Sequence, residues 1–136
     1  MIVPKPSKVK KKKAKRPTLA KMRKILDRLW FENIYKRDKG CCKRCGRKDT
    51  LAGHHIFGKK AYPSGRWLVE NGILLCYSCH IHFAHAKPYM FEEFMKECKG
   101  VIWWFDLHET VQLKSQFRAC DFENIKFNLE SELKEY

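Results

Sequence analysis

The 136-residue chain predicts an α+β fold, with a strand, loop, strand and helix core, one helix before it and a helical extension after it. Two Cys-x-x-Cys pairs, Cys42 with Cys45 and Cys76 with Cys79, bracket two short apolar segments bounded by Gly, Pro, Ser and Asn. Apolar residues recur at helical spacing on both sides of that bracket. The length suits one domain with a modest core, which a metal staple would help. The expected divisions are a disordered basic arm (1–16), an N-terminal helix (17–40), the cysteine-bracketed core (41–87) and the helical C-terminal extension (88–136).

Residues 1–16 hold eight Lys/Arg, two prolines and no acid, a composition that buries too little apolar surface to offset its ordering entropy. From Thr18 the positions Met22, Ile25, Leu26, Leu29 and Ile34 mark a helix, with Pro17 and Thr18 as start signals and an end near Lys36. Asp38-Lys39-Gly40 breaks it. Leu51 to Ile56 and Gly72 to Cys76 read as a pair of strands. The loop between them, Phe57 to Glu70, carries Lys59, Lys60, Arg66 and Trp67 and no acid before Glu70; Trp67 is expected to anchor packing. His80 to Ala86 opens a helix after the second cysteine pair. Pro88 suits a first helical turn, and the stripe Phe91, Phe94, Met95, Cys98 stops at Gly100. Val101 to Leu113 is a further helix. Phe122, Ile125, Leu129 and Leu133 repeat at helical spacing behind Asp121, a candidate N-cap.

The formal charge of +14 is concentrated: residues 1–48 carry nineteen Lys/Arg against three Asp/Glu, and residues 49–136 ten against twelve. Such a cationic field attracts polyanions, nucleic acid first and membrane surface second. No apolar run of about twenty residues spans a bilayer, and the lysine run lacks the apolar stretch of a secretory signal, so a soluble cytoplasmic protein without a membrane partner is expected. In a reducing compartment the seven cysteines argue for metal ligation over disulfides. Cys42, Cys45, Cys76 and Cys79 make a four-coordinate structural zinc site. Cys42 rather than Cys41 gives the two-residue gap to Cys45, and Gly46 follows as a permissive turn residue. Cys41, Cys98 and Cys120 are left as free, partly buried thiols.

The histidines lie inside this frame. Neighbours on an extended segment point to opposite sides, so one of His54 and His55 can hold a metal while the other faces a water. An imidazole with an unperturbed pKa near about 6.5 suits proton abstraction, and an amide such as Asn71 can orient the ring. His80 is placed by its neighbour Cys79, so the zinc would position a catalytic ligand. These are the parts that phosphodiester hydrolysis needs: a base, a nucleophilic water and a cation for the developing charge. His82 and His85 are candidates for a third ligand, His85 also for a phosphate contact, and His108 is expected to be structural. Lys59, Lys60 and Arg66 are candidate phosphate contacts. Nothing points to base reading in a groove.

The set Cys42-x-x-Cys45, His54-His55-Ile56, Asn71-Gly72-Ile73-Leu74-Leu75-Cys76 and Cys79-His80 resembles the HNH nucleases of the ββα-metal (His-Me finger) fold. The resemblance implies a DNA endonuclease in which His55 is the general base, His54 and His80 hold a catalytic divalent ion such as Mg2+, and Asn71 steadies the base and the loop. Within that family, NinG-like recombination nucleases of phages and prophages resemble the chain from about Leu26 onward, including Arg66-Trp67 and the tail after His85-x-x-Pro88. This likeness implies phage DNA recombination or processing in a bacterial host cell, with a homodimer or a phage or host protein as candidate partner. Two features depart from the family pattern: His54 stands where many relatives have Asp, and Ala84 stands where some have another metal ligand. The competing reading is a non-catalytic, zinc-stabilised nucleic-acid-binding module, which explains the charge and the cysteines but not His54-His55, Asn71 and His80. The Trp103-Trp104-Phe105 run is a candidate docking patch, although the core also needs large apolar groups.

Overall fold

The Thr18 hydroxyl accepts from the Lys21 backbone N–H at 3.3 Å and starts the first helix, α1 (Leu19–Arg37), whose last turn carries Lys36 and Arg37 toward the negative end of the helix dipole. The computed structural model describes residues 14–113, 117 and 119–136, so most of the expected basic arm lies outside the described residues. α1 ends where Lys39 and Gly40 take positive φ, as the Asp38-Lys39-Gly40 break predicts. Its buried stripe of Met22, Leu26, Leu29, Trp30, Asn33 and Ile34 adds Trp30 and Asn33 to the expected set, and Ile25 is only partly buried.

The strands are β1 (Leu51–His55) and β2 (Gly72–Cys76), paired antiparallel with Leu51 opposite Cys76 and His55 opposite Gly72. Ile56 falls just beyond β1, where its N–H turns to the Asn71 carbonyl at 2.9 Å. The intervening loop contains two short 3-10 turns, Pro63–Gly65 and Val69–Asn71. After β2 the chain winds as a π-helix (Cys79–His85), followed by α2 (Pro88–Lys99), α3 (Val101–Gln112) and α4 (Ala119–Leu133). This is the α+β class that the sequence predicts, with helices before and after a ββα core.

A two-stranded sheet is marginal alone and needs cover. Here β2 is buried along its whole length and the two-residue period of a strand sorts its side chains. Ile73 and Leu75 enter a core with Phe83, Phe91, Met95, Trp104, Leu107 and Val111, whereas Leu74 enters a second core with Leu26, Trp30, Ile34, Phe122 and Leu129. The sheet is thus the middle layer between α1 and α4 on one side and the π-helix, α2 and α3 on the other. Arg37 and Asp38 fasten it to the end of α1. The Arg37 guanidinium donates to the Val69 and Gly72 carbonyls at 2.8 and 2.7 Å, and the Asp38 carboxylate accepts from the Leu74 N–H at 2.9 Å.

Gly72 permits the close approach of β2 to α1, since a Cβ there would lie 2.1 Å from Ile34 Cδ1 and 2.7 Å from Trp30 Cζ2. Gly72→Ala should therefore cost about 3 kcal/mol by overpacking, at the upper end of such substitutions. Urea unfolding of the two proteins measures it, and an unchanged midpoint would show that α1 moves away freely.

Three local expectations are corrected. α4 begins at Ala119, so Asp121 does not cap it; the carboxylate sits in the first turn, where it complements the positive end of the helix. Cys98 and Cys120 are exposed, not partly buried: the last turn of α2 faces solvent after Met95, and Cys120 borders an open groove with Leu19 and Met22 of α1. Successive helical residues are about 100° apart, so the Trp103-Trp104-Phe105 run divides. Trp104 is buried, Trp103 is half-buried and Phe105 is exposed.

Candidate metal centre and active site

The first cysteine pair sits on a tight turn knit to the sheet. The Gly46 N–H donates to the Cys42 carbonyl at 2.8 Å with Gly46 at φ +78°, a backbone region that favours glycine, and the Lys43 N–H reaches the Leu74 carbonyl at 2.9 Å. Cys76 ends β2 and Cys79 opens the π-helix. The four sulfurs lie within 4.8 Å of one another, with Cys45 and Cys76 at 3.6 Å. Tetrahedral zinc with bonds of about 2.3 Å would set sulfurs about 3.8 Å apart, so this donor set fits such an ion. Burial pushes the Cys42 thiol up, but backbone N–H groups of Cys76, Cys45 and Arg44 outweigh it and bring the group to about 7. Burial carries Cys79 to about 12, although an Arg44 guanidinium nitrogen lies 3.6 Å from its sulfur. A bound cation would deprotonate all four.

β1 sends its two histidines to opposite layers. His54 is buried and faces the π-helix and α2, with ring centroids 5.1 Å from His80, 5.0 Å from His85 and 5.0 Å from Phe91. His80 and His85 place their Nε2 atoms 3.0 Å apart, and one nitrogen from each of the three rings falls within a 4.8 Å group. The winding accounts for the third member. An α-helix would stack Ala84 beside His80, whereas a π-helix pairs residues five apart and brings His85 there, while Ala84 is buried. His82 is exposed near Tyr77 and lies outside the group. Burial, and then the His80 and His85 rings, hold His54 down at about 3; burial and His85 lower His80. Neutral imidazoles are the metal-binding form, and the 3.0 Å spacing suits two nitrogens on one ion with bonds of about 2.1 Å.

His55 faces α1 instead. Its ring stacks on Trp30 with centroids 4.0 Å apart and planes 5° from parallel, and its Nε2 lies 2.8 Å from the Arg66 carbonyl oxygen. A carbonyl only accepts, so Nε2 carries the proton and Nδ1 keeps the lone pair. Burial pushes the His55 imidazole below its ordinary value, with Lys59 adding to the effect, while the Arg66 carbonyl and Asp27 oppose it. The ring is therefore oriented by a backbone carbonyl rather than by the Asn71 amide. Asn71 is fully buried and clasps the loop: its Nδ2 donates to the Phe57 and Gly65 carbonyls at 2.9 and 3.0 Å, and its Oδ1 accepts from the Phe57 N–H at 2.8 Å. Gly65 precedes Arg66, so the amide sets the residue whose carbonyl meets His55.

Lys59 and Lys60 are exposed. Arg66 is engaged: its Nε and Nη2 donate to the two Asp27 carboxylate oxygens at 3.0 and 2.8 Å. Trp67 is buried, as expected of an anchor, and its Nε1 donates to the same Asp27 at 2.8 Å. Burial raises the Asp27 carboxyl, but the Arg66 and Trp67 hydrogen bonds outweigh it and hold it below the ordinary carboxylate value. His108 packs on Phe57 and meets the Tyr62 hydroxyl at 3.1 Å, away from the other histidines. Sequence reasoning missed Asp27 and Trp30 in this surrounding. The one available signal was that Asp27 is the only acid before Glu32 in a strongly basic stretch.

The α+β core thus carries two groups that could each hold a metal ion, four cysteines at one end of its sheet and three histidines beside it. Residues 42–83 match the family model described as HNH endonuclease. The matched segment starts at Cys42 and includes His54, His55, Asn71 and His80, and stops short of His85. No curated protein and no solved structure matches the chain. No described helix is long and apolar enough to cross a membrane.

Proposed function

We propose that the chain is a metal-dependent DNA endonuclease that hydrolyses phosphodiester bonds to leave 5′-phosphate and 3′-hydroxyl ends. The observation that carries the reading is the pairing of two differently built imidazole environments on one strand: His54 with His80 and His85 in a ligand-sized group, and His55 with Nε2 against the Arg66 carbonyl and no hydrogen-bond partner for Nδ1 among the described residues. His54, His80 and His85 would hold one divalent ion, Mg2+ or another divalent metal, and three imidazole nitrogens suit a borderline transition-metal ion better than Mg2+. That ion would supply stabilisation of charge on the phosphoryl and leaving oxygens. His55 Nδ1 takes the proton of the attacking water, with the ring held by the Arg66 carbonyl and the Trp30 face. Cys42, Cys45, Cys76 and Cys79 hold zinc, which fixes the start of the π-helix and so the position of His80. Lys59 and Lys60 neutralise phosphates beside the cut; Arg66 contributes through the part of its guanidinium not spent on Asp27. The basic N-terminal third adds sequence-independent attraction. A role in phage DNA recombination rests on the NinG-like sequence resemblance alone.

A plasmid-nicking assay with Mg2+ or Mn2+ tests the proposal. The unaltered chain should nick, and His55→Ala should lower the rate by about 10²- to 10⁴-fold, the usual worth of a positioned general base. Zinc content and the melting profile should be retained. Undiminished cleavage by His55→Ala would reject the assignment. Tight DNA binding without cleavage under any divalent ion would favour the non-catalytic module.

A further inference from the structure

We infer that Asp27 and Trp30 of α1 are positioning residues for His55, forming a clamp that selects its tautomer and ring orientation from outside the HNH-like segment. The inference rests on the base role proposed above for His55.

Three successive residues of the loop, 66–68, are tied to α1. The Arg66 side chain forms a two-point fork with the Asp27 carboxylate at 3.0 and 2.8 Å. The Trp67 indole donates to Asp27 Oδ1 at 2.8 Å, and the Leu68 carbonyl accepts from the Trp30 indole N–H at 2.9 Å. A single carboxylate therefore accepts three hydrogen bonds from two adjacent residues, and the next residue is held one helical turn away. Two-point Arg–carboxylate pairs add geometric definition beyond that of a single contact. The backbone carbonyl inside this clamped stretch, that of Arg66, is the group that meets His55 Nε2 at 2.8 Å.

Trp30 completes the arrangement from the other side. Its indole lies flat against the imidazole at 4.0 Å, and the N–H on its far edge is spent on Leu68, so the ring that supports His55 is itself fixed. The imidazole is thereby restrained in two ways, in its plane by the indole face and in its rotation about that plane by the carbonyl. An imidazole with neither restraint would divide between two tautomers, and only one presents Nδ1 as an acceptor. Asp27 and Trp30 lie three residues apart on one helix, so they face the same way and act as one unit. Neither belongs to residues 42–83. A purely structural clip would hold the loop but would leave no mark on the ring's proton.

The full chain, zinc-loaded and labelled with 15N-histidine, tests this by NMR at one neutral pH, with the His55 signals identified by their loss in His55→Ala. The unaltered protein should show His55 as a single tautomer protonated on Nε2. Asp27→Ala should give a mixture, with kcat for plasmid nicking lower by on the order of 10- to 100-fold and KM for DNA unchanged. Asp27→Glu should recover part of both. Trp30→Phe keeps a stacking face but frees the Leu68 carbonyl, and should show a smaller shift in the same direction. If Asp27→Ala fails to fold, the isosteric Asp27→Asn reads the same tautomer. Wild-type tautomer and wild-type kcat in a folded Asp27 variant, with only a lowered melting temperature, overturn the inference. Should the unaltered chain not cleave DNA at all, the nuclease reading fails, and the tautomer comparison still decides whether the clamp exists.

Discussion

With zinc held by the four cysteines as proposed, Cys76→Ser should unfold much of the core, and chelation should do the same to the unaltered protein. Cys76 closes β2, pairs with Leu51 across the sheet and is buried with Cys42 and Cys79, while the turn that holds Cys42 and Cys45 hangs on Leu74 through one backbone bond from Lys43. A small domain with a two-stranded sheet has little to replace such a crosslink. Structural zinc contributes on the order of 10 kcal/mol in isolated small zinc domains, against a total stability of about 5–15 kcal/mol for ordinary ones. The two helix-lined cores would soften this loss without cancelling it. Elemental analysis of the purified chain should find one zinc per chain in this site, with loss of tertiary near-ultraviolet signal after chelation. A folded, metal-free protein of unchanged stability would remove zinc from the account.

The second large effect is expected at Asn71. Asn71→Ala removes three hydrogen bonds and leaves the Phe57 N–H and carbonyl without partners among the described residues in a buried place, while the Gly65 carbonyl keeps the Leu68 N–H at 3.3 Å. Each such orphaned group costs about 1–3 kcal/mol, so a loss of about 3–5 kcal/mol is expected if water refills part of the space. The same change frees the loop that carries the Arg66 carbonyl, so cleavage should fall even where the protein remains folded. Asn71→Asp, nearly isosteric, keeps the acceptor for the Phe57 N–H but sets a carboxylate oxygen against two carbonyls, and should be no better than alanine. Urea unfolding and nicking rates measured on the same preparations separate the two losses. Wild-type stability in Asn71→Ala would show that the loop is held elsewhere.

The expectations that succeeded were those carried by local chemistry. Thr18 and the apolar stripe of α1, the Asp38-Lys39-Gly40 break, both strands and the Pro88 to Gly100 helix follow from capping, side-chain periodicity and turn residues, which act over a few positions. The cysteine spacing likewise anticipates a four-sulfur cluster. What escaped was set over longer distances. The α4 start lay two residues before the expected cap, and the exposure of Cys98 depended on where the core ends.

By itself the sequence determined the α+β class, the four-cysteine cluster and the pool of candidate site residues, because short-range spacing decides which side chains share a face. Only the tertiary structure decided their grouping. It chose His85 over His82 through the π-winding, turned His54 and His55 into separate layers, and gave the orienting of His55 to a carbonyl rather than to Asn71. It also placed Asp27 and Trp30 beside a loop some forty positions later. The physical reason is that hydrogen-bond direction and ring contact depend on how helices cross a sheet, and that crossing leaves no periodic trace along the chain.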